Sequence, residues 1–409
     1  MDVVYERCCG LDIHKSMIVA CVMKGREKEI KTFGTFTDDL LQMSEWLKAN
    51  QVEMVAMEST GSYWKPIFNI LEVEDVPAIL VNAQDVKNVP GRKTDVKDAE
   101  WLADLLKHGL LKASFVPKRE MRELRELVRY RRSIIDERAR EYNRIDKVLQ
   151  GANIKLSSVA SSNKTKSGLD MVRAIAKGEF NAEVLASMAK GTMRSKIDQL
   201  KLAMNGLIQP HQQILLSSML NHIDLLSKSI EALDAEVDKR LSDVSDIVEM
   251  LDEITGVGRT TAEVIVAEIG TDMSQFPSAA HLASWACMCP VKNSSAGRKK
   301  KEKTRKNKGI LKSSLVQAGR SASNSNDSYF HSQYVRIAAR RGANRAAMAV
   351  GHSILVICYH MIKNRTTFKD LGKDYFVEKD KEKIAGRHLK RLADLGYTVL
   401  IVEEIEESA

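Results

Sequence analysis

The chain has 409 residues, with 63 Lys and Arg against 54 Asp and Glu, for a formal net charge of +9. That length supports two or three domains with real cores, and the basic excess favours a polyanionic partner without bearing on fold. Aromatic residues make up 5% of the chain, which excludes extensive base stacking on aromatic platforms, and 29% charged residues with few Gly and Pro point to a helix-rich protein.

Six cysteines occur as Cys8 and Cys9, Cys21, Cys287 and Cys289, and Cys358. They have neither zinc-type C-x2-C spacing nor the density of a disulfide scaffold, so reduced and mostly buried thiols are expected. The first seven residues carry Asp2 and Glu6 where a signal peptide needs a basic and then an apolar run. The longest apolar stretch, Ala346 to Ile362, contains His352, Ser353 and His360 and falls short of a ~20-residue span. It predicts a buried helix, no membrane partner and a cytoplasmic protein.

Taken in order, residues 7–36 predict three antiparallel strands, with His14-Lys15-Ser16 as a hairpin link. Leu40 to Ala49 has helical periodicity, Val52 to Met57 reads as a strand ending at Glu58, and Ser59 to Tyr63 turns into a helix near Trp64. Ala78 to Val81 is a further strand, and Asp95 to His108 a helix with Ala99, Leu102, Ala103 and Leu106 on one face. Three strands followed by alternating helix and strand give an α/β sheet.

Four carboxylates stand at informative places in this region. Asp12 ends the first strand, Glu58 ends the fourth, and Asp95 and Asp98 share a helical face through their spacing of three. Convergent carboxylates repel unless a cation neutralises them, and an all-oxygen set suits Mg²⁺ or Mn²⁺. The bland alternative is a set of caps and solvated acids, with Asp95 capping its own helix. Lys87, Arg92, Lys93 and Lys97 surround the pair, as phosphate approach requires.

Arg119 to Leu149 predicts one long basic helix, with Arg125, Arg129 and Arg132 among its many arginines. Contact with a nucleic-acid backbone is the sharper reading and a solvated charged face the blander one. Ser157 to Gly168 reads as a linker, and a helical segment over 168–204 follows. Leu216, Ile223, Ile230, Val237 and Val244 then recur every seven residues, with Met219, Leu226 and Leu233 between them. This seam suits a coiled coil between two copies, hence a homo-oligomer, or packing against the basic helix within one chain.

Ile254-Thr-Gly256-Val-Gly258, with helices expected on both sides, has the pattern of a helix-hairpin-helix whose turn and helix N-terminus can hold a phosphate; a plain helical turn is the alternative. Pro290 opens a stretch bearing Ser294 and Ser295. From Lys292 to Lys312 it holds ten Lys or Arg, including Arg298, Lys299, Lys300 and Arg305, against the single acid Glu302. Such a loop can present a nucleophilic hydroxyl to a phosphate backbone, or be a flexible solvated loop. Helices are expected at Gly309 to Arg320 and Asp327 to Arg341, and a short added strand at Tyr397 to Val402. The lack of a Gly-x-x-x-x-Gly-Lys-[Ser/Thr] motif gives no indication of a nucleotide cofactor.

Gly10-Leu-Asp12-Ile-His-Lys15, Met57-Glu58-Ser-Thr-Gly-Ser-Tyr63, Lys93-Thr-Asp95-Val-Lys-Asp98, Ile254-Thr-Gly-Val-Gly258 and Pro290-Val-Lys-Asn-Ser-Ser295-Ala-Gly297 together resemble the DEDD transposases of bacterial insertion sequences. This is the family named after insertion sequence one-ten, which includes Piv-type DNA invertases, and the long middle segment resembles its longer subgroup. The resemblance implies an N-terminal RNase H-like (RuvC-like) domain with Asp12, Glu58, Asp95 and Asp98 as catalytic, metal-binding acids. It implies a helical C-terminal transposase domain with Ser295, rather than Ser294, as nucleophile, although Ala296-Gly297 replaces the family's frequent Gly-Gly. It also implies DNA as substrate, a structured bridge RNA as guide, and a bacterial protein that acts at the nucleoid.

The expected organisation is a metal-binding domain at 1–117, long helices, linker and coiled coil at 118–245, a transposase domain at 246–365 and a tail at 366–409. Lys15, Arg92, Lys93, Arg125, Arg129, Arg132, Gly256, Gly258, Arg298, Lys299, Lys300 and Arg305 are the expected nucleic-acid contacts. The rival readings are a junction-resolving nuclease that uses the four carboxylates and water, and a non-catalytic nucleic-acid scaffold.

Overall fold

The computed structural model describes residues 3–59, 61–82, 98–160, 165–291, 294–295, 298–299, 303–304 and 309–399. The chain divides into two compact units, Met1–Arg122 and Glu123–Ala409.

In the first unit, β1 (Arg7–Ile13), β2 (Ile18–Lys24) and β3 (Glu27–Phe33) form an antiparallel meander. β4 (Met54–Glu58) then pairs parallel with β1, and β5 (Ala78–Val81) parallel with β4. The sheet order β3-β2-β1-β4-β5 is compatible with an RNase H-like fold. Side-chain alternation sends β1 to both faces. Cys9 and Leu11 join Val55 and Met57 in a core with Met43 and Leu47 of α1 (Thr37–Ala49) and Ile67 and Leu71 of α2 (Trp64–Val73). Cys8 and Ala56 face the other way, onto Ala99, Ala103 and Leu106 of α3 (Asp98–Lys107). Gly10 lets that helix come close, because a Cβ there would stand 2.2 Å from the Ala99 carbonyl oxygen and 2.5 Å from the Ala103 nitrogen.

The second unit is built on α4 (Arg119–Gly151), whose first turn lies in the preceding unit. Leu124, Val128, Ile134, Ile145 and Leu149 are buried at helical spacing. The segment expected to be helical over 168–204 is broken into α5 (Lys166–Ala176), α6 (Ala182–Ser187), a 3-10 turn (Gly191–Lys196) and α7 (Ile197–Met204). Thr165 caps α5 through the Gly168 amide, so the linker stops short of Gly168.

The heptad segment is α8 (Pro210–Arg240), which ends before Val244. It runs antiparallel to α4 within the chain. Leu216, Leu220 and Ile223 pack with Ile145 and Leu149, and Leu226 and Ile230 with Ile134. Polar pairs follow the same register, from His222–Glu141 at 3.0 Å to Arg240–Glu123 at 2.8 Å. The seam is therefore occupied by the basic helix, the second of the two arrangements its pattern allows.

Next come α9 (Ser245–Asp252), α10 (Arg259–Ile269), α11 (Ala279–Trp285), α12 (Ile310–Ala322), α13 (Tyr329–Arg341) and α14 (Ala343–Asn364). Small residues seat α12 on α14: a Cβ on Gly319 would lie 2.5 Å from the Ala347 carbonyl oxygen, and one on Gly351 2.6 Å from that of Leu315. At 22 residues, α14 is longer than its apolar run suggests. It alone among the described residues is long and apolar enough to cross a membrane, but 56% of its apolar window is buried inside the unit, as in a core helix. The tail adds α15 (Tyr375–Lys379) and α16 (Lys381–Asp394). Tyr397–Val399 form no strand, which corrects that expectation for its described part; residues 400–402 lie outside the described residues.

Candidate functional site

β1 and β4 are neighbours in parallel register, with Leu11 opposite Met57. One step further on, Asp12 and Glu58 stand side by side at the ends of their strands. Both continue the alternation of Gly10 and Ala56, so they belong to the face covered by α3. Asp98 begins that helix, with its Oδ1 fully buried. Three of the four expected carboxylates are thus brought to one end of one sheet face. Asp95 lies outside the described residues, as do Arg92 and Lys93.

Asp12 Oδ2 is 3.0 Å from His14 Nε2, across the turn in which the His14 amide donates to the Met17 carbonyl. The imidazole is a neighbour that the strand pattern did not single out, although two residues after Asp12 is a short reach. Lys15 is exposed in the same turn. Among the described residues, no three His, Cys, Asp or Glu side chains already form a closed metal-binding group. In donor type Asp12, Glu58 and Asp98 suit a hard cation such as Mg²⁺, which favours oxygen ligands and keeps several waters.

The serine stretch is a two-tier hairpin rather than a plain loop. β6 (Pro290–Val291) pairs with β9 (Lys303–Thr304), and β7 (Ser294–Ser295) with β8 (Arg298–Lys299). Ser295 is opposite Arg298, and only Ala296 and Gly297 link them, the length of a tight hairpin turn. Ser294 pairs with Lys299, one position further from the tip. Lys300 and Arg305 lie outside the described residues.

The arginines of α4 answer two carboxylates that burial would otherwise strand. α10 is buried from Ala262 to Ile269, including Glu263 and Glu268. Arg129 forks onto Glu268 at 2.6 and 2.9 Å, and Arg125 caps the end of α10 at the Ala267 and Glu268 carbonyls, at 3.2 and 2.6 Å. Arg131, itself buried, bridges Glu263 at 2.5 Å and Asp234 at 2.9 Å. Arg132 stays at the surface, 3.1 Å from Asp136 and 3.3 Å from Oε1 of the Gln317 side chain. Acids from distant segments therefore balance much of the helix, which its own sequence does not reveal.

Gly256 and Gly258 form the turn between α9 and α10, as their spacing predicts. Gly256 has φ +87°, and a Cβ there would lie 2.6 Å from the Ala318 carbonyl oxygen and the Ala322 nitrogen. Gly258 caps α10. Beside this turn is a cavity of about 250 Å³ that also involves Arg132, Thr260, Thr261, Ser314 and Gln317. Thr260 and Thr261 could be noticed beside the Gly-Val-Gly turn; nothing in the local sequence marks Ser314.

Residues 9–154 match the DEDD transposase family model of the IS110 group, described as transposase, and residues 248–335 match the transposase IS116/IS110/IS902 family. Comparison with curated proteins finds no match. The first match contains the four carboxylates and all of α4, and the second contains the Gly-Val-Gly turn, the serine hairpin and α12. Together the two matches cover more than half of the chain in family order, and the chain belongs to the IS110-family transposases, enzymes that cut and rejoin DNA.

Proposed function

We propose that this transposase exchanges DNA strands through a covalent phosphoserine link at Ser295, assisted by a divalent cation at Asp12, Glu58, Asp95 and Asp98. The observation that carries the reading is the meeting of Asp12, Glu58 and the start of α3 at one end of one sheet face. The position of Ser295 next to the hairpin tip supports its choice over Ser294.

In the proposed step, the Ser295 hydroxyl attacks a DNA phosphodiester. One Oγ–P bond forms, one O–P bond of the DNA breaks, and the serine proton ends on the released strand hydroxyl. The count of phosphoester bonds is unchanged, so a second strand hydroxyl can reverse the exchange and reseal DNA without ATP. When bound, Mg²⁺ or Mn²⁺ would neutralise phosphate charge and ease loss of the hydroxyl proton. His14 holds Asp12 in place from the turn after β1. Basic side chains on the serine arm draw in the polyanion, and a structured guide RNA selects the DNA. The working organisation is a metal-binding domain at 1–117, long helices at 118–245, a transposase domain with a helix-hairpin-helix at 246–365 and a tail at 366–409, acting as a dimer or larger oligomer.

The test is a denaturing gel of labelled donor DNA, with the element's own RNA, run with and without protease. A protease-sensitive, slow-migrating species is expected with the wild type and not with Ser295→Ala. Free ends without attached protein, equally abundant in Ser295→Ala, would instead establish a junction-resolving nuclease using water. Asp12→Asn with full strand exchange would remove the carboxylates from the mechanism.

A further inference from the structure

We propose that Phe36 is a stacking platform for an unpaired base of the DNA strand presented to Asp12 and Glu58, with Tyr63 as its counterpart at the same end of the sheet. The inference rests on the reading of that end as the carboxylate site of a DNA-rejoining enzyme. It adds a grip on bases to a site described so far only through its acids.

Sheet register places the two rings. Ile13, Ile18 and Phe33 are aligned across β1, β2 and β3, so β3 exits at the end of the sheet where Asp12 and Glu58 stand. Both α1 and α2 start from that end, and the residue before each is aromatic, Phe36 and Tyr63. Ser, Thr, Asp and Asn are the side chains that satisfy the free amides of a helix start. Neither ring does so; at α1 the side-chain bond is that of Asp39, which accepts from the Phe36 amide at 3.1 Å. In sheet order β2 and β1 lie between β3 and β4, so the two aromatic residues flank the turn that carries Lys15.

The Phe36 ring neither caps its helix nor packs in a core. At 81% it is the most exposed large apolar side chain among the described residues, and Tyr63 is 43% exposed. The Phe36 backbone is nevertheless fixed. The Thr35 hydroxyl donates to the Lys15 carbonyl at 3.4 Å, and Gly34 leaves room for the Asp39 carboxylate, which lies 2.1 Å from where a Cβ would stand. A ring held by its backbone and left in water is ready to stack with little further ordering. Asp38 and Asp39 in the first turn of α1 would repel a phosphate, so the contact on offer is the flat apolar face. Every base has such a face, and stacking on it tolerates any sequence. A strand that leaves one complement before joining another exposes unpaired bases at the point of exchange. β3 is two strands from β1, about 10 Å, within the reach of a nucleotide beside a phosphate at Asp12. Two rings suit a chain whose 5% aromatic content excludes an extended platform. DNA is favoured over RNA because the rings stand at the carboxylates, which act on the strand that is cut.

The experiment measures binding of the full-length protein to element-end duplex DNA with a short unpaired segment, through which an abasic site is walked. Phe36→Ala should weaken binding by about tenfold, Tyr63→Ala should act in the same direction, and Phe36→Trp should keep the wild-type affinity. At one position the abasic site and Phe36→Ala should fail to add, because each removes the same stacked pair. The slope of log affinity against log salt should not change, since no phosphate contact is lost. The thermal midpoint should stay level, because the ring is exposed. Unchanged affinity in Phe36→Ala, or additive losses at every position, overturns the platform. A loss seen only with an RNA hairpin overturns the assignment to DNA. Loss of self-association with DNA binding intact overturns it in favour of a contact with a second copy of the chain. The series is repeated in Ser295→Ala, which binds without cleaving, so failure of the covalent or carboxylate chemistry is read separately from failure of the platform.

Discussion

Gly10 is the residue on which the carboxylate end of the first unit depends. Its missing side chain lets α3 settle onto β1, and that contact brings Asp98 to the sheet face of Asp12. Gly10→Ala should destabilise the unit by about 1–3 kcal/mol through overpacking against backbone, as measured by urea unfolding. Loss of stability without loss of strand exchange would separate the glycine from the site. Arg131 is the corresponding point in the second unit. Arg131→Ala leaves Glu263 and Asp234 without it and should cost about 3–5 kcal/mol, whereas the paired change Arg131→Met with Glu263→Met should recover most of that loss. The cysteines give a chemical check. Burial pushes the Cys8 and Cys21 thiols up to about 11 and Cys358 up to about 12, and raises Cys9 well above the usual range. Iodoacetamide at about pH 8 should therefore alkylate half-buried Cys287 first, then half-buried Cys289, whose thiol burial also raises, and spare these four, as mass spectrometry of the native protein would read.

At the scale of elements, short apolar runs and turn residues are enough to read every strand of the main sheet, although β1 and β2 are buried on both faces and β3 is largely exposed, and helical periodicity is enough to read nearly the full run of α4. It could not read what the polar residues of α4 do. Arg125, Arg129 and Arg131 read as nucleic-acid contacts, or as a solvated face, until α10, more than a hundred positions away, presents Glu263 and Glu268. Likewise the seam of α8 was equally suited to a second copy and to α4, since heptads specify a knob pattern and not its owner. The hairpin carrying Ser295 was hidden because its strands are two residues long, Ser-Ser against Arg-Lys, with no apolar alternation to mark them. The start of α4 also carries a pH-dependent tie. Arg122 forks onto Glu72 at 2.6 and 3.2 Å, and this hydrogen bonding holds the Glu72 carboxyl below its ordinary value of 4.5. The depressed value in the folded state means that this stabilisation is present above about pH 4.5 and is lost as pH falls through the lowered value. Arg122→Gln should lower unfolding stability at neutral pH, and the gap from wild type should narrow in acid. A residual difference should remain, because the Arg122 guanidinium also lies 5.2 Å from the Phe68 ring centroid.

For the whole molecule, a net charge of +9 predicts nucleic-acid binding that weakens steeply with salt. If six phosphates are neutralised, affinity should fall by roughly a thousandfold between 50 and 200 mM salt. A fluorescence-anisotropy titration gives the slope, and a flat one would argue against a backbone-dominated grip. Much of the arginine content of α4 already serves internal pairs, so the measured number of phosphates should fall well below the count of basic residues. The serine arm has a mechanical consequence of its own. One foot follows α11 and the other leads into α12, and both helices rest on α14. A nucleic-acid strand tethered near the arm's tip would pull on two roots at once, and both would pass the tension to the same buried helix. If the strand is joined to Ser295 as proposed, a root anchored in that way resists peeling one leg at a time, so the strand end would keep its place relative to the core of the unit instead of swinging on the hairpin's few backbone bonds.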